Sequence, residues 1–525
     1  MKKSQSLLKA KTIICLIILF LINNRTFAQT EFYKVYGNEN TDYLGEIIKT
    51  DSNSFLATGH TFSASQSGLF FTKINSIGNI IWNKILGSSS SNGYTIYEFN
   101  DKVFIGGANS NNGGNAEIYC LDTSGNLIWA KEIDMGGNED IVSISNADSN
   151  LIVIGNTNAF GNMFDISFIK IDLQGNILQS KKIGTSYSDE PFRIIKCKNN
   201  SGFVIIGQTP DSISYDAFIL KVNNNGDILW SYKYGGIDGE DLSDGVELEN
   251  GNFIFTGTSF SFGNVSNDGD IWVLSTDSIG NILFSKNYGK YGTDRGKRII
   301  EINPNLFYIT GETWSYGNAK NNSFLLGINA IGDVTKFETF GGNLFDFGVS
   351  IMKNNDNSVS LGGYTTSFGF GSNDFFLTNN PLGNISCYTD SFSILNNSTF
   401  PNRTIYSITD SNITFQQNPI TQNTIGSFQT NDICAVLAIN NVYSSELNLV
   451  IFPNPTSNNV TILTNDKNNP INEIYFIDIL GKVIYSEKQK IQSKTLNIEK
   501  FPNGIYFVKI VLENGIITTR KLIKE

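Results

Sequence analysis

From residue 32 to about 380 the chain alternates short apolar or mixed runs of about six residues with clusters of Gly, Asn, Asp and Ser, a spacing that predicts strands rather than helices. One turn recurs roughly every 51 residues, at Gly78-Asn79, Gly125-Asn126, Gly175-Asn176, Gly226-Asp227, Gly280-Asn281, Gly332-Asp333 and Gly383-Asn384. After each of the first six comes a strand of one kind, as in IIWNKILG from Ile80 or ILFSKNYG from Ile282, and a lone copy, FYKVYG, occupies 32–37. Three further runs fall between successive turns; in the fourth unit they are RIIKCK, FVIIGQT and AFILKVN. The second run always ends on glycine: Gly59, Gly107, Gly155, Gly207, Gly257, Gly311 and Gly363. Four antiparallel strands repeated seven times predict an all-β, seven-bladed β-propeller. FYKVYG is expected to complete the last blade, whose other strands come from roughly 348 to 379, and so remove the open edges of the ring.

The ends of the chain differ from this pattern. Lys2, Lys3, Lys9 and Lys11 precede an apolar run from Thr12 to Ile22, and Thr26-Phe27-Ala28 stands before Gln29, as in a secretory signal peptide of residues 1–28. The run falls short of the ~20 residues a membrane-spanning helix needs, so no transmembrane segment is expected in the mature chain. Residues 29–385 are assigned to the propeller. Residues 386–446 lose the repeat and are rich in Asn, Ser and Thr, which fits a small β extension packed on the ring or a connector. Residues 447–525 alternate apolar positions around Leu480-Gly481-Lys482, Asn503-Gly504 and Asn514-Gly515, which predicts an immunoglobulin-like β-sandwich.

Charge narrows the function. Lys plus Arg total 38 against 49 Asp plus Glu, a net −11; losing five basic residues with the signal gives −16. The tail carries ten basic and seven acidic residues, so the rest of the mature chain stands at −19. Nucleic-acid binding through a basic footprint is excluded on these grounds. His60 is the only histidine, which removes His-based metal sites; it follows a strand-ending glycine and is expected at the surface. No phosphate loop, nucleophile elbow or Cys/His metal spacing is present. Cys120 and Cys197 fall in predicted strands. Cys387 and Cys434 flank the segment after the last repeat, either as a disulfide or as free thiols.

In an antiparallel meander the loops joining strands 2 to 3 and 4 to 1 share one face, and here they are the longer and chemically richer ones. The 4-to-1 loops carry Asp42, Asp140, Asp189, Asp241, Asp294 and Asp346, with Asn92 in the remaining unit. Aromatic residues Phe62, Phe160, Phe260, Trp314, Tyr316 and Phe368 lie in the 2-to-3 loops. Together they read either as turn caps and interblade packing, or as a carbohydrate or peptide platform with acceptors beside it. No cofactor is required by this pattern; calcium is the one ion a ring of carboxylates would take. The departures from the repeat are Glu190, Glu240, Glu312 and the basic cluster Arg295, Lys297 and Arg298.

Two stretches resemble known families. The repeat, as in FIFTGTSFSFGNVSNDGDIWVLSTDSIGNILFSKNYG from 253 to 289, resembles the bacterial SBBP-type β-propeller repeat, which implies a scaffold and no activity. The tail is similar to the type A C-terminal sorting domain of the type IX secretion system of Bacteroidetes: Pro453-Asn454-Pro455, Gly481-Lys482, Asn503-Gly504-Ile505-Tyr506 and Lys521 occur in order. That resemblance implies recognition of 447–525 by the secretion machinery, export across the outer membrane, removal of the tail, and release or surface attachment. The expected function is a non-catalytic binding or adhesion module at the cell surface or released. Two rivals stand beside it: a secreted carbohydrate-active hydrolase or lyase using carboxylates of the loop-rich face, and a structural surface-layer protein.

Overall fold

The computed structural model describes residues 32–525 apart from 51–52, 64–66, 111–113, 162, 211–213, 264–267, 318–319, 381–388, 392–393, 395, 406–407, 414–415, 420–422, 426–428, 433–448, 465–469, 479–481 and 514–516. The signal-peptide assignment and the Cys387–Cys434 pairing therefore fall outside the described residues, as does Gly481. The chain divides into two compact units, 1–434 and 435–525. Among the described residues there is no α-helix, and none long and apolar enough to cross a membrane.

The first unit is all-β and propeller-like. Its strands form seven five-stranded sheets, numbered here in chain order from the one that begins at Thr41–Lys49. Phe32–Gly37 pairs antiparallel with Asp374–Asn380, Val35 facing Phe376, so the first strand of the chain completes the seventh sheet. The first strands of successive sheets lie side by side, and that of the seventh returns to that of the first. Both faces of each sheet are apolar. Seven separate buried clusters fill the seven seams; that between the third and fourth sheets joins Ile154, Ile166 and Phe168 to Phe203, Ile205 and Phe218.

The recurring Gly-Asn turn is explained at these seams. At Gly280 φ is +83°, a conformation that a side chain resists, and a β-carbon there would press on Tyr232 and the Tyr234 hydroxyl of the preceding sheet. Tyr234 donates to the Gly280 carbonyl at 2.7 Å, as Tyr36 does to Gly78 at 2.8 Å and Tyr288 to Gly332 at 2.6 Å. The fourth-strand aromatic is thus latched onto the next sheet's turn.

Residues 389–432 supply the fifth strand of every sheet. They pair antiparallel with the fourth strands of the sixth, fifth, fourth, third, second, first and seventh sheets in that order, through Thr389–Ser391, Asn396–Ser398, Asn402–Ile405, Thr409–Asn412, Gln416–Pro419, Asn423–Ile425 and Gln429–Asp432. The segment is a belt around the whole set. Ile394 and Ile408 between its strands insert into the seams between sheets five and six and between three and four.

In the second unit a three-stranded sheet (Leu449–Phe452, Asn459–Thr464, Ser493–Asn497) and a four-stranded sheet (Ile471–Asp478, Val483–Ile491, Gly504–Leu512, Ile517–Lys524) share one core that includes Val460, Ile462, Phe476, Val508 and Leu522.

Candidate functional site

In six of the seven sheets the first strand carries a β-bulge at the same place, between Leu44 and Glu46, Gly93 and Thr95, Pro191 and Arg193, Leu242 and Asp244, Gly296 and Arg298, and Gly348 and Ser350. The extra residue has no cross-strand partner and re-aims its neighbours. The strand-ending glycines lie opposite: a β-carbon on Gly59, Gly207, Gly257 or Gly311 would overlap the carbonyl oxygen of Tyr43, Glu190, Asp241 or Arg295. The repeated glycine is the partner of the bulge.

Residues just past the bulges meet across the ring. Arg193 donates to Glu46 at 2.7 Å and lies 3.5 Å from Asp244, and Arg298 lies 3.7 Å from Glu46. Glu46 also accepts from the Thr95 hydroxyl (2.8 Å) and the Ile96 N–H (3.0 Å) of the second sheet. Burial works to raise its pKa, but the charges of Arg193 and Arg298 outweigh it and hold the carboxyl below its ordinary value. This ion network lies between two sets of cavities. Past it along the strands is one of about 430 Å³, lined by Ile47, Ile194, Ile299, Ile351 and their neighbours. On the loop-rich side, one of about 590 Å³ is lined by Arg295, Lys297, Arg298, Glu312, Trp314, Phe347 and Tyr364, and one of about 420 Å³ by Phe192, Asp241, Ser243, Phe260 and the same three basic residues.

The carboxylates expected at the mouth are placed differently. Asp42, Asp189, Asp294 and Asp346 are fully buried, with their oxygens engaged. Asp294 accepts from the Thr313 hydroxyl (2.5 Å), the Ser315 hydroxyl (2.5 Å) and the Trp314 N–H (3.1 Å), and Asp189 from the Thr209 hydroxyl (2.6 Å). They clasp each first strand to the end of the second, as turn caps do. Asp140 and Asp241 are not their counterparts: Glu139 and Glu240 hold those places, Glu139 accepting from Thr157 at 3.2 Å and Glu240 from Ser259 at 2.9 Å, and Ser91 takes the place expected for Asn92. Asp140 and Asp241 lie one residue further along and so take the alternate face of the strand. Burial, more than the hydrogen bonds from Thr61 and Asn38 can offset, pushes Asp42 up to about 7, and the Asp374 charge adds to it; burial likewise pushes Asp294 up to about 6. Among the described residues no group of three or more His, Cys, Asp or Glu is arranged to hold a metal ion.

The aromatic residues divide. Phe62, Phe160 and Trp314 are 50%, 41% and 47% exposed, and Phe260 lines the third cavity. Tyr316 is only 8% exposed and packs edge-on against Phe337 in the core between sheets five and six, while Phe368 lies against Tyr33; both are interblade packing. His60, expected at the surface, is buried, its Nδ1 2.8 Å from the Ser91 carbonyl oxygen. Arg193, Phe192, Phe347 and Tyr364 were not selected from the sequence. Their signal is that they break the repeat near the bulge or, for Tyr364, directly follow the glycine opposite it.

In the tail, the sorting-motif residues converge. Asn454 donates to the Lys521 carbonyl at 2.7 Å and accepts from the Ile523 N–H at 2.9 Å, which ties the Pro453-Asn454-Pro455 motif to the last strand. Tyr506 is buried and donates to the Pro502 carbonyl at 2.6 Å; the Asp478 carboxylate accepts from the Lys482 N–H at 2.9 Å; Gly504 begins its strand at φ +155°.

The chain is an all-β, propeller-like body followed in sequence by a compact β tail. Residues 450–525 match the family described as the secretion system C-terminal sorting domain, the sorting signal of type IX secretion, and the chain is accordingly secreted to the cell surface or released. No curated protein sequence matches the chain. Among solved structures it is similar to the WD40 domain of Neurospora crassa Pan2 (10% identity, 65% of this chain and 89% of that one, TM-score 0.41). It is also similar to PorZ, a surface component of the type IX secretion system of Porphyromonas gingivalis (12%, 93% and 59%, TM-score 0.37), and to a neuraminidase-like protein from A/bat/Guatemala/164/2009 (12%, 67% and 93%, TM-score 0.37). The strand pairing, not these likenesses, establishes the architecture.

Proposed function

We propose that the seven sheets are the blades of a seven-bladed β-propeller, that the tail is an immunoglobulin-like sandwich engaging the type IX secretion machinery through 447–525, and that the delivered propeller is a non-catalytic binding or adhesion module. The observation that carries the binding reading is the cavity of about 590 Å³ at the loop-rich mouth, where Trp314, Phe347 and Tyr364 adjoin Arg295 and Lys297. Apolar walls with a few polar groups in a cavity of that size suit a small ligand or one residue of a polymer. Phe260 adds an apolar wall to the adjoining cavity of about 420 Å³, which shares Arg295, Lys297 and Arg298.

The test is a glycan array and polysaccharide pull-down with the mature protein, with and without calcium, assaying the same samples for released sugar. Retention without product supports the reading, and product release overturns it in favour of a hydrolase or lyase. One observation favours that second reading: Asp140 and Glu190 stand at the same position of adjoining sheets, and burial together with the Glu190 charge raises the Asp140 pKa. Against it, both Asp140 oxygens accept from Asn156, at 2.8 to 3.1 Å.

A further inference from the structure

We infer that the mouth cavity takes an acidic sugar, a ring bearing a carboxylate or sulfate, in preference to a neutral one; the inference rests on the binding reading above. Three cations line the cavity, and none is fully neutralised. Lys297 is the extra residue of the bulge between Gly296 and Arg298, and among the described residues its ammonium has no ion-pair or hydrogen-bond partner. Arg295 has only Glu312, at 3.5 Å, and the other oxygen of Glu312 is taken by the Asn321 amide at 2.8 Å. Arg298 reaches Glu46 at 3.7 Å, but Glu46 is already committed to Arg193 at 2.7 Å. Partly desolvated cations that are unpaired or held only by long, shared ion pairs favour an incoming anion, and a guanidinium offers a carboxylate or sulfate two parallel N–H donors.

The aromatic side chains specify what carries the anion. Trp314 is half exposed beside the cations, and Phe347 stacks on Tyr364 with ring centroids 4.6 Å apart. Together they give the cavity flat apolar walls against which one face of a pyranose can lie. The surroundings argue against a long polyanion. The mature chain carries about −16, and Asp140, Glu190 and Asp241 occupy, on sheets three to five, the first-strand position that Arg295 holds on the sixth. A dense polyelectrolyte would be repelled there, whereas a single acidic residue reaching the cations would not.

The experiment measures the affinity of the mature full chain for uronate oligosaccharides, their methyl esters, and sulfated oligosaccharides by calorimetry. The acid forms are expected to bind at least about tenfold more tightly than the esters, with affinity falling as salt rises from about 50 to about 500 mM. Lys297→Met and Arg295→Gln should each weaken the acid forms about tenfold and leave the esters within about twofold, and Lys297→Arg should restore binding. Thermal melts confirm that the variants fold. The carboxylated and sulfated arms separate the two anion types. Equal affinity for acid and ester overturns the inference while the binding reading stands; retention of no saccharide at all overturns both; tighter binding of a nucleic acid than of any saccharide overturns the inference.

Discussion

Arg193 of the fourth sheet and Glu46 of the first, 147 residues apart in sequence, are joined at 2.7 Å in the middle of the ring. Only a closed cycle of sheets brings them together, and each is inserted just past a bulge. Breaking one side of such a pair leaves the other charge buried. Arg193→Met is expected to cost about 3 kcal/mol, and the double variant Glu46→Gln/Arg193→Met to recover most of it. Urea denaturation of the four members of the cycle measures this. A single variant within experimental error of the parent would show that the network does not stabilise the ring.

The clasp carboxylates give the stability a pH dependence of defined sign. Asp42 and Asp294 have folded-state pKa values raised to about 7 and about 6, so the native state holds protons that the unfolded chain releases near pH 4. Their contribution is fully present below about pH 4 and is lost as pH rises through 6 to 7. Glu46, held low, acts in the opposite sense, and its stabilisation is lost as the solution becomes more acid than its ordinary value. The melting temperature is therefore expected to fall between pH 5 and 7.5, and Asp42→Asn, which keeps an acceptor for the Asn38 N–H, to flatten that fall. An unchanged slope in the variant would remove Asp42 as its source.

Period and turn chemistry made the strands, the repeat and the closure by 32–37 legible, because alternation and Gly-Asn turns are local signals. The tail was legible for a different reason: its motifs are linear. The clasp register is not, since in sheets three and five the clasp is a Glu followed directly by an Asp, and the repeated Asp of the other sheets points to Asp140 and Asp241 where Glu139 and Glu240 belong. Nor was the ion network, because Glu46, Arg193, Asp244 and Arg298 are far apart in sequence and each reads as an ordinary polar strand position. The belt escaped a definite reading too: strands of three or four mostly polar residues are too short to carry a hydrophobic period.

The bulge and its opposing glycine give a paired prediction. At Gly257 a β-carbon would overlap the Asp241 carbonyl oxygen, whereas at Gly161 nothing lies within 4 Å and the backbone is not left-handed. Gly257→Ala is expected to destabilise by about 2 kcal/mol or more, and Gly161→Ala to be neutral or stabilising by up to about 1 kcal/mol. Chemical denaturation of both against the parent decides it, and a neutral Gly257→Ala would show that the bulge can relax.

The belt leads to the last prediction. Without 389–432 all seven fourth strands become open edges with unpaired N–H and C=O groups, which pair readily with other chains. The belt also holds through side chains. The Arg403 guanidinium stacks 3.5 Å over Tyr232 of the fourth sheet and donates to Asn281 of the fifth at 2.5 Å, so one residue spans a seam. A chain ending at 385 is expected to melt on the order of 10 °C below one ending at 434 and to self-associate, whereas Arg403→Ala in the longer chain should cost about 1 kcal/mol and leave it monomeric. Light scattering with thermal melts of the three proteins checks this, and a monomeric, equally stable shorter chain would show that the edges are guarded by the four-stranded sheets themselves.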